Sequence, residues 1–421
     1  MKILVVGSGG REHAIVWKLA QSPKAEKIYC APGNAGIAQL AECVPIAATD
    51  IEKLADFASQ QSIDLTVVGM DDPLMLGIVD EFEKRGLRVF GPRADAAIIE
   101  GSKVFSKNLM KKYGIPTAGY WEFADAESAK NFLKRHKTYP IVLKADGLAL
   151  GKGVLICQNE QEALAGVDEI MVDKKFGQAG AQMVIEEFLE GQEVSVLSFV
   201  DGKTIKTMVS AQDHKRAFDH DQGLNTGGMG TFSPSQYYTE QYQKEAEEKI
   251  FQKTVDAMAA EGRTFKGILF FGLMLTKDGV KVLEYNARFG DPEAQVVLPR
   301  LKGDLVEIVE ACIDGRLDQV SIEWEDNAAV CVVLASGGYP VSYQKGFVIE
   351  GLDAFKDHQD LLVFHAGTAK NEKGQYITNG GRVLGVVALD TTLEKAIAKV
   401  YDHVDEITFD KVFYRHDIGR K

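Results

Sequence analysis

The chain has 421 residues, 45% hydrophobic and 26% charged, which is typical of a globular protein with about two to four domains. Its formal net charge of −13 argues against a general binder of nucleic acids or anionic membranes, although a local basic cluster could still hold a small phosphorylated substrate. No apolar run approaches the roughly 20 residues that span a membrane, and the scattered cysteines form no CxxC pair, so we expect a cytoplasmic protein with reduced thiols and no zinc site.

The first hundred residues alternate strands with helices. Strands are predicted at 3–6, 27–30, 65–68 and 87–90, and helices at 11–21, 51–61 and 72–85. This alternation indicates a parallel, doubly wound sheet. Gly91-Pro92-Arg93 breaks the pattern, so we assign residues 1–101 to a first α/β domain.

A glycine-rich turn joins the first strand to the first helix. It resembles the dinucleotide fingerprint GxGxxG, but Glu12 occupies the third glycine position. The second predicted strand is followed by no acidic residue that could bind a ribose. A helix N-terminus beside an arginine suits a phosphate monoester instead, so we assign Gly9, Gly10 and Arg11 to a substrate phosphate. A tight turn without a ligand is the alternative.

A second group of strands follows the helix predicted at 103–113. The strand at 141–144 ends at Lys144, and a glycine-rich loop at 145–153 leads into a strand at 154–157. A lysine beside flexible backbone N–H groups is a common way to hold ATP phosphates. The loop lacks the Gly-Lys-Ser/Thr of a Walker A site, and a surface turn with an exposed lysine is the alternative.

Two carboxylates flank a short connection after the next strand, predicted at 183–189. Glu186 lies in this strand, and Glu193 follows the connection. The exposed backbone there could pair with adenine, with Glu186 accepting from the adenine amino group and Glu193 from ribose hydroxyls. The alternative is that both carboxylates are solvated. Two hairpins are predicted next, at 194–209 and 267–286.

An irregular segment between the two hairpins is rich in ionisable residues and glycine. Asp213-His214-Lys215-Arg216 opens it, and Asn225-Thr-Gly-Gly-Met-Gly230 closes it. Such a loop can place acids and bases around a polar substrate. Gly227 and Gly228 allow close approach of the backbone to a ligand. A structural role is the alternative for His214.

The end of the strand predicted at 280–286 carries an informative set of side chains. Positions i and i+2 of a strand point to the same face, so Glu284 and Asn286 present two hard oxygen donors that suit Mg²⁺. Arg288 follows with a planar guanidinium that fits phosphate. An ordinary strand end with solvated polar residues is the alternative.

The remaining chain is predicted to form a smaller mixed α/β domain at 326–421. A helix at 305–314 precedes it, and the acidic stretch 318–327 is interpreted as a linker. Short strands and frequent glycines mark the domain itself.

The order of these features resembles that of an ATP-grasp enzyme. The motifs are similar to those of the glycinamide ribonucleotide synthetase family over essentially the whole chain. They are Gly7-Ser-Gly-Gly-Arg-Glu-His-Ala14, Glu100-Gly-Ser-Lys103, Gln212-Asp-His-Lys-Arg216, Asn225-Thr-Gly-Gly-Met-Gly230, Arg288-Phe-Gly-Asp-Pro-Glu-Ala-Gln295, Gly337-Gly-Tyr-Pro340 and Asn379-Gly-Gly-Arg382. The resemblance implies a pre-ATP-grasp N-terminal domain, an ATP-grasp domain at 102–325 with a mobile lobe at about 118–190, and the C-terminal domain.

The resemblance also implies a reaction and its residues. ATP, glycine and 5-phosphoribosylamine would give glycinamide ribonucleotide, ADP and phosphate in a cytoplasmic monomer, with Mg²⁺ or Mn²⁺ bound by Glu284 and Asn286. Arg288, Asp213 and Lys215 are expected to act in catalysis. The expected ATP-binding residues are Lys107, Lys144, Gly151, Gly153, Glu186, Leu189 and Glu193. The expected substrate-binding residues are Gly9, Gly10, Arg11, Asp213, His214, Gly227, Gly228, Arg288 and Asp291.

Two departures from the family pattern bear on this assignment. Many ATP-grasp enzymes carry a second metal-binding glutamate where this chain has Gly272, and many family members read Pro-Glu-Ala where it has Met70-Asp71-Asp72. Two other classes stay open: an ATP-grasp ligase or carboxylase for a different acid and acceptor, and a nicotinamide-binding oxidoreductase or regulatory module.

Overall fold

The computed structural model describes residues 1–148, 153–356 and 358–420. The first part of the chain forms a five-stranded parallel sheet in the order β3-β2-β1-β4-β5, which confirms the predicted doubly wound fold. Its elements are β1 (Lys2–Gly7), α1 (Gly10–Leu19), β2 (Lys27–Pro32), β3 (Glu42–Cys43), α2 (Ile51–Gln60), β4 (Leu65–Val68), α3 (Asp71–Met75), α4 (Ile78–Lys84), β5 (Val89–Phe90), α5 (Ala94–Gly101) and α6 (Lys103–Tyr113). Because the strands are parallel, the loops after β1 and β4 meet at one edge of the sheet.

The helix predicted at 72–85 was wrong in one respect, because it is two helices. Gly77 separates α3 from α4 with a φ of +86°, a left-handed conformation that glycine adopts without strain. Aspartate side chains at Asp71 and Asp72 begin α3 at the carboxyl end of β4.

A second, antiparallel sheet forms a lobe with its own core. Its strands have the order β6-β9-β7-β8, and Leu133, Leu143 and Ile185 are among the residues buried between the sheet and its helices. The elements are β6 (Tyr120–Phe123), α7 (Ala126–Arg135), β7 (Ile141–Ala145), β8 (Val154–Cys157), α8 (Glu160–Val167) and β9 (Met183–Glu187). The lobe therefore has a hydrophobic core separate from the first sheet, while its bounds at about 118–190 and its mobility stay predictions.

A third sheet has the order β11-β10-β16-β17 and contains both predicted hairpins. The elements of this region are β10 (Gln192–Asp201), β11 (Ile205–Thr207), β12 (Gln212–Asp213), β13 (Arg216–Phe218), β14 (Gln222–Asn225), β15 (Gly230–Ser233), α9 (Glu240–Ala246), α10 (Gln252–Ala260), β16 (Lys266–Thr276) and β17 (Gly279–Asn286). A π-helical turn joins α9 to α10.

The last sheet combines strands from two parts of the chain. Its path is β12-β15-β20-β24-β21, with β25 also paired to β20. The remaining elements are α11 (Ala294–Val297), β18 (Leu301–Lys302), α12 (Leu305–Asp314), β19 (Glu323–Trp324), β20 (Ala328–Ser336), β21 (Leu361–His365), β22 (Thr368–Lys370), β23 (Tyr376–Thr378), β24 (Arg382–Asp390), α13 (Leu393–His403) and β25 (Val412–Phe413). The boundaries at 101, 325 and 326 stay a prediction.

The interpretation of 318–327 as a linker was wrong in part. Strand β19 lies within this stretch and pairs with β18, which precedes α12. Part of the stretch is therefore fixed to the chain before α12 by strand pairing. Among the residues that the structure describes, no helix has both the length and the apolar character needed to cross a membrane.

Candidate active site

Two lysines share one buried carboxylate between α6 and the lobe sheet. Lys107 Nζ lies 2.9 Å from Glu186 Oε2, and Lys144 Nζ lies 3.1 Å from Glu186 Oε1, with all three side chains at most 8% exposed. Lys144 Nζ also donates to the Leu283 carbonyl at 3.2 Å. Burial lowers the pKa of Lys107 to about 8, although the Glu186 carboxylate favours its charged form. Two ammonium groups on one carboxylate leave a net positive group that suits phosphate.

Lys215 connects the irregular segment to the strand-end carboxylates. Its Nζ lies 3.1 Å from Glu193 Oε2 and 3.8 Å from Glu284 Oε1. The Glu193 carboxylate holds the pKa of Lys215 well above its usual value, against the effect of burial. Burial opposes the charge on Glu284, but Lys215, Lys144 and nearby Lys103 lower its pKa. Sequence reasoning did not assign Lys103 a role, although it belongs to the Glu100–Lys103 motif.

The predicted metal donors lie on one face of the third sheet. Glu284 is paired with Gly272 across β16 and β17, and Gly272 is paired with Ser195 across β10 and β16. A Cβ on Gly272 would lie 3.1 Å from Glu284 Cγ. Gly272 therefore leaves space for the Glu284 side chain, and it supplies no second carboxylate of the kind that many ATP-grasp enzymes have at this position. No group of three His, Cys, Asp or Glu side chains that could hold a metal occurs among the described residues. A carboxylate and an amide oxygen fit a hard divalent cation that takes its other ligands from phosphate or water.

Arg288 is fixed by acidic and amide groups around the end of β17. Its Nη2 lies 2.9 Å from Glu100 Oε1 and 3.9 Å from Asp71 Oδ2, and it donates to Asn286 Oδ1 at 3.2 Å. Glu100 Oε2 accepts from the Ala287 N–H at 2.7 Å. Burial raises the pKa of Glu100, and the Arg288 charge opposes this. Glu100 belongs to the Glu100–Lys103 motif, but nothing local in the sequence pairs it with Arg288, so its role could not be predicted.

The N-terminal glycine turn packs against the segment that follows Arg288. Arg11 donates from Nε to Glu12 Oε1 at 2.6 Å and from Nη1 to the Phe289 carbonyl at 3.0 Å. Glu12 Oε2 also accepts from the Gly9 N–H at 2.6 Å, so this carboxylate is bound inside the turn. Burial opposes the Arg11 charge, but Glu12 and other carboxylates outweigh it and raise the Arg11 pKa. A Cβ on Gly10 would lie only 2.6 Å from Gln295 Nε2.

Gly227 and Gly228 also pack against the segment that follows Arg288. Arg382 Nη1 donates to the carbonyls of Gly227 and Asp291, both at 2.9 Å, and Arg382 Nη2 lies 3.3 Å from Asp291 Oδ2. Gly228 has a φ of +116°, and a Cβ there would lie 2.5 Å from Pro292 Cδ. Burial opposes the Asp291 charge, but Arg382 and Arg11 lower its pKa. Close packing of the backbone on Pro292 therefore requires glycine at 228, and approach of this turn to a ligand stays a prediction.

Asp213 and His214 point into different environments. Burial raises the pKa of Asp213 to about 7, against the favourable charge of Lys215 and in line with the nearby Glu293 carboxylate. His214 is 1% exposed, its ring packs 5.8 Å from the Phe232 ring, and its Nε2 accepts from the Gly419 N–H at 3.4 Å. The structure thus places Asp213 beside the carboxylates of the site and packs His214 towards the C-terminal sheet. Substrate contact by either residue stays a prediction.

The other predicted nucleotide residues lie near the lobe. Leu189 joins Ala118, Met274 and Leu283 in a small apolar cluster next to the Glu284 strand. The Gly153 carbonyl accepts from the Ala145 N–H at 2.9 Å. Gly151 lies outside the described residues.

Comparisons with known proteins connect this geometry to one family. The N domain of phosphoribosylglycinamide synthetase matches residues 1–100, its ATP-grasp (A) domain matches 101–294, and its C domain matches 329–421. A phosphoribosylamine–glycine ligase of Halalkalibacterium halodurans is 52% identical over 421 residues, which cover 100% of this chain and 97% of that protein.

Two solved structures resemble the chain over nearly its full length. The crystal structure of a phosphoribosylamine–glycine ligase from Thermotoga maritima has a TM-score of 0.87 and 34% identity, covering 99% of this chain and 100% of that one. The biotin carboxylase domain of the Hydrogenobacter thermophilus 2-oxoglutarate carboxylase has a TM-score of 0.76 and 17% identity, covering 98% of this chain and 91% of that one. The second likeness concerns the fold alone.

Proposed function

The chain belongs to the phosphoribosylglycinamide synthetase family, and from this premise we propose that it uses ATP to join glycine to 5-phosphoribosylamine. The products are glycinamide ribonucleotide, ADP and phosphate, in the second step of de novo purine biosynthesis. The observation that carries the proposal is the convergence, at the third sheet, of the Lys107–Glu186–Lys144 group with Glu284, Asn286 and Arg288.

The reaction needs an activated acid, because a glycine carboxylate has a poor leaving oxygen. A carboxylate oxygen of glycine attacks the γ-phosphorus of ATP, the bond to the β,γ-bridging oxygen breaks, and ADP leaves. The amine of phosphoribosylamine then attacks the carbonyl of the glycyl phosphate, which releases phosphate and a proton. No covalent bond to the protein forms, so positioning and electrostatic stabilisation carry the catalysis.

The phosphate groups are assigned to cations from three parts of the chain, namely α6, β7 and the segment after β17. Lys107 and Lys144 hold the ATP phosphates, and Arg288, kept in place by Glu100 and Asn286, stabilises the transferring group. Glu284 and Asn286 would hold a divalent metal, with Mg²⁺ or Mn²⁺ as the candidates, and a bound metal would neutralise phosphate charge. The apolar cluster around Leu189 is assigned to the adenine ring, with Gly153 in the phosphate loop.

Glycine and phosphoribosylamine are assigned to different places around the segment that follows Arg288. Asp213 binds the amino group of glycine. Lys215 lies between the carboxylates of Glu193 and Glu284 and neutralises part of their charge. The phosphate of phosphoribosylamine is assigned to the N-terminal end of α1, where Gly10 and Arg11 lie, beside the Gly227–Gly228 turn and Asp291. The enzyme is proposed to act as a cytoplasmic monomer, and all five of its cysteines are free thiols, as a reducing compartment requires.

Isotope transfer tests the proposed chemistry directly. Glycine labelled with ¹⁸O in both carboxylate oxygens is incubated with ATP, Mg²⁺ and phosphoribosylamine, and the released phosphate is analysed by mass spectrometry. One ¹⁸O atom per phosphate is expected, because a carboxylate oxygen stays with the phosphoryl group. Unlabelled phosphate would contradict the glycyl phosphate. Preference for another acid or acceptor in a substrate panel would favour a different ATP-grasp ligase or carboxylase.

A further inference from the structure

The last residues of the described chain cross a hairpin that lies beside the proposed glycine site. Arg415 is 0% exposed, and its Nε and Nη2 donate to the two carboxylate oxygens of Asp417, each at 2.7 Å. The same guanidinium donates from Nη1 to Asp221 Oδ1 at 3.0 Å and to the Arg216 carbonyl at 3.1 Å. Residues 415–418, here named the C-terminal clamp, thus bind the Asp221 side chain in the turn of the hairpin and the Arg216 carbonyl at the start of β13.

The turn of this hairpin is held in an unusual backbone conformation. His220 and Asp221 have φ values of +58° and +54°, which are uncommon for residues other than glycine. Asp417 Oδ2 accepts from the His220 N–H at 2.9 Å. Asp219 accepts from the His416 N–H at 2.8 Å, and its other oxygen lies 3.0 Å from His416 Nδ1. Contacts from the clamp therefore fall on each of the three turn residues.

The hairpin has little hydrophobic support of its own. It consists of β13 and β14, which pair with an irregular register, and its Phe218 and Leu224 side chains are 53% and 57% exposed. A two-stranded hairpin is marginal in water unless something else packs on it. Support comes from Phe413 in β25, whose ring lies 5.8 Å from the Phe218 ring, and from the polar contacts of the clamp.

The clamp itself is anchored in the C-terminal domain. Tyr401 in α13 donates from its hydroxyl to the Arg415 carbonyl at 2.7 Å and accepts from the Ile418 N–H at 3.0 Å. Ile418 is fully buried and packs against β15, where a Cβ on Gly230 would lie 2.6 Å from Ile418 Cδ1. The position of the clamp is therefore set by α13 and β15.

The base of the hairpin leads directly into the proposed site. The Lys215 carbonyl accepts from the Thr226 N–H at 2.7 Å and from the Thr226 hydroxyl at 2.9 Å. The same hydroxyl accepts from the Gly228 N–H at 2.9 Å. Arg216, whose carbonyl the clamp holds, is the next residue after Lys215. A shift of the hairpin would move Lys215 away from Glu193 and would move the Gly227–Gly228 turn.

We propose that the C-terminal clamp is a positioning element for the glycine-binding segment, with Arg415 and Asp417 as positioning residues that act through Lys215. This inference rests on the proposed function. It gives the C-terminal clamp a role in the reaction, although no residue of the clamp takes part in the chemical steps. The clamp touches no residue of the Lys107–Glu186–Lys144 group, so nucleotide binding is expected to be independent of it.

The test uses full-length variants on both sides of the contact. Asp219→Asn combined with Asp221→Asn removes the two carboxylate charges that pair with His416 and Arg415, at positions where the side chains are 37% and 44% exposed. Arg415→Lys keeps a buried cation but loses the planar fork. Lys399→Met is the matched control, because Lys399 in α13 pairs with Asp360 and Asp390 and makes no contact with the hairpin. Each protein is assayed for phosphate release with glycine or ATP varied, and for amide hydrogen exchange.

The double variant is expected to lower kcat/KM for glycine about tenfold, because small misplacements of a catalytic segment have large kinetic effects. Its KM for ATP should stay within about twofold. Its melting temperature should change little, because the buried Arg415 guanidinium keeps its two hydrogen bonds to Asp417. Amide exchange should quicken in residues 216–225 and not in the lobe. Arg415→Lys should show the same kinetic pattern, and Lys399→Met should resemble the wild type.

Two results would overturn the inference. One is faster exchange in 216–225 with kcat/KM for glycine unchanged in both the double variant and Arg415→Lys. The other is an equal loss for glycine and ATP, which points to general destabilisation. Failure of the proposed function looks different, because the wild-type protein itself would then release no phosphate with glycine and phosphoribosylamine.

Discussion

Lys107 Nζ lies 2.9 Å from Glu186 Oε2, and both side chains are only 2% exposed. Burial lowers the pKa of Lys107 to about 8, so a fraction of the free enzyme carries a neutral amine at that pH. Bound phosphates add negative charge and favour the ammonium. With Lys107 assigned to the ATP phosphates, as proposed above, the pair is expected to couple nucleotide binding to proton uptake.

Nucleotide affinity is expected to fall as the pH rises above about 8, because deprotonation of Lys107 removes the positive charge that is proposed to hold the ATP phosphates. Near pH 8, binding of a non-hydrolysable ATP analogue should take up roughly half a proton, and near pH 6.5 almost none, because Lys107 is then charged in both states. Calorimetry in buffers with different ionisation enthalpies measures this uptake. Lys107→Met should abolish it, while unchanged uptake in that variant would assign the titration to another group.

Glu284→Ala and Asn286→Ala should each lower turnover by about 10²–10³ and raise the Mg²⁺ concentration needed for half-maximal rate, because each removes one oxygen donor. Glu325→Ala is a suitable control, since Glu325 pairs with Lys302 at the surface with 49% of its side chain exposed. Steady-state rates over a Mg²⁺ titration measure the effect. Near-normal activity at low Mg²⁺ in either variant would mean that other residues hold the metal.

The sequence predicted well those elements that are long and have clear end signals. Helix α6 begins after Ser102, whose side chain accepts from the Phe105 N–H, and ends at Gly114 in a left-handed conformation. Both predicted hairpins are present. In each, two apolar strands are joined by a short turn, at Asp201-Gly202 or at Gly279, and such a turn brings the two strands together as neighbours. Local chemistry is sufficient for such elements.

Other parts of the fold depend on distant partners and were not predicted. Strands β3, β12, β18 and β19 have two residues each, too few for a hydrophobic period to be recognised. The pairing of β15 with β20 joins two parts of the chain that the sequence assigned to different domains. Nothing in either strand alone indicates the other.

The candidate site shows the same division. Glu284 and Asn286 could be placed on one face of the sheet from the sequence alone, because side chains two residues apart in a strand point the same way. In the structure both residues lie in the regular part of β17, on the same face. Glu186 was expected to meet adenine, whereas in the structure both its oxygens pair with lysines from two other elements. The roles of Glu100 and Arg382 in fixing Arg288 and Asp291 follow only from the tertiary packing, although both residues belong to motifs that stood out in the sequence.

Asp213→Asn should raise the KM for glycine far more than that for ATP, because the carboxylate is assigned to the glycine amino group. Burial raises the Asp213 pKa to about 7, so the residue is protonated below that pH and ionised above it. The wild-type kcat/KM for glycine should therefore fall as the pH drops below about 7, and this limb of the profile should vanish in the Asn variant. Equal effects on glycine and ATP, or an unchanged acidic limb, would place Asp213 outside the glycine site.

Gly10→Ala should disturb the proposed phosphate site for phosphoribosylamine, because the added Cβ would lie 2.6 Å from Gln295 Nε2. Gln295 is 3% exposed and donates to Asp291 Oδ1 at 2.8 Å, so it has little freedom to move aside. The end of α1 should be displaced instead, with a loss of about tenfold or more in kcat/KM for phosphoribosylamine and no change in ATP affinity.

The double variant Gly10→Ala, Gln295→Ala tests this explanation, because it removes the side chain that the new methyl group would meet. Part of the lost kcat/KM should return relative to Gly10→Ala, and Gln295→Ala alone serves as the matched control. The kinetics should be accompanied by titration with glycinamide ribonucleotide, whose affinity should follow the same order. If Gly10→Ala binds this product as tightly as the wild type does, the N-terminal end of α1 does not hold the substrate phosphate. Tight NAD binding by the wild type would contradict the assignment independently, since Glu12 lies inside the turn and accepts from the Gly9 N–H.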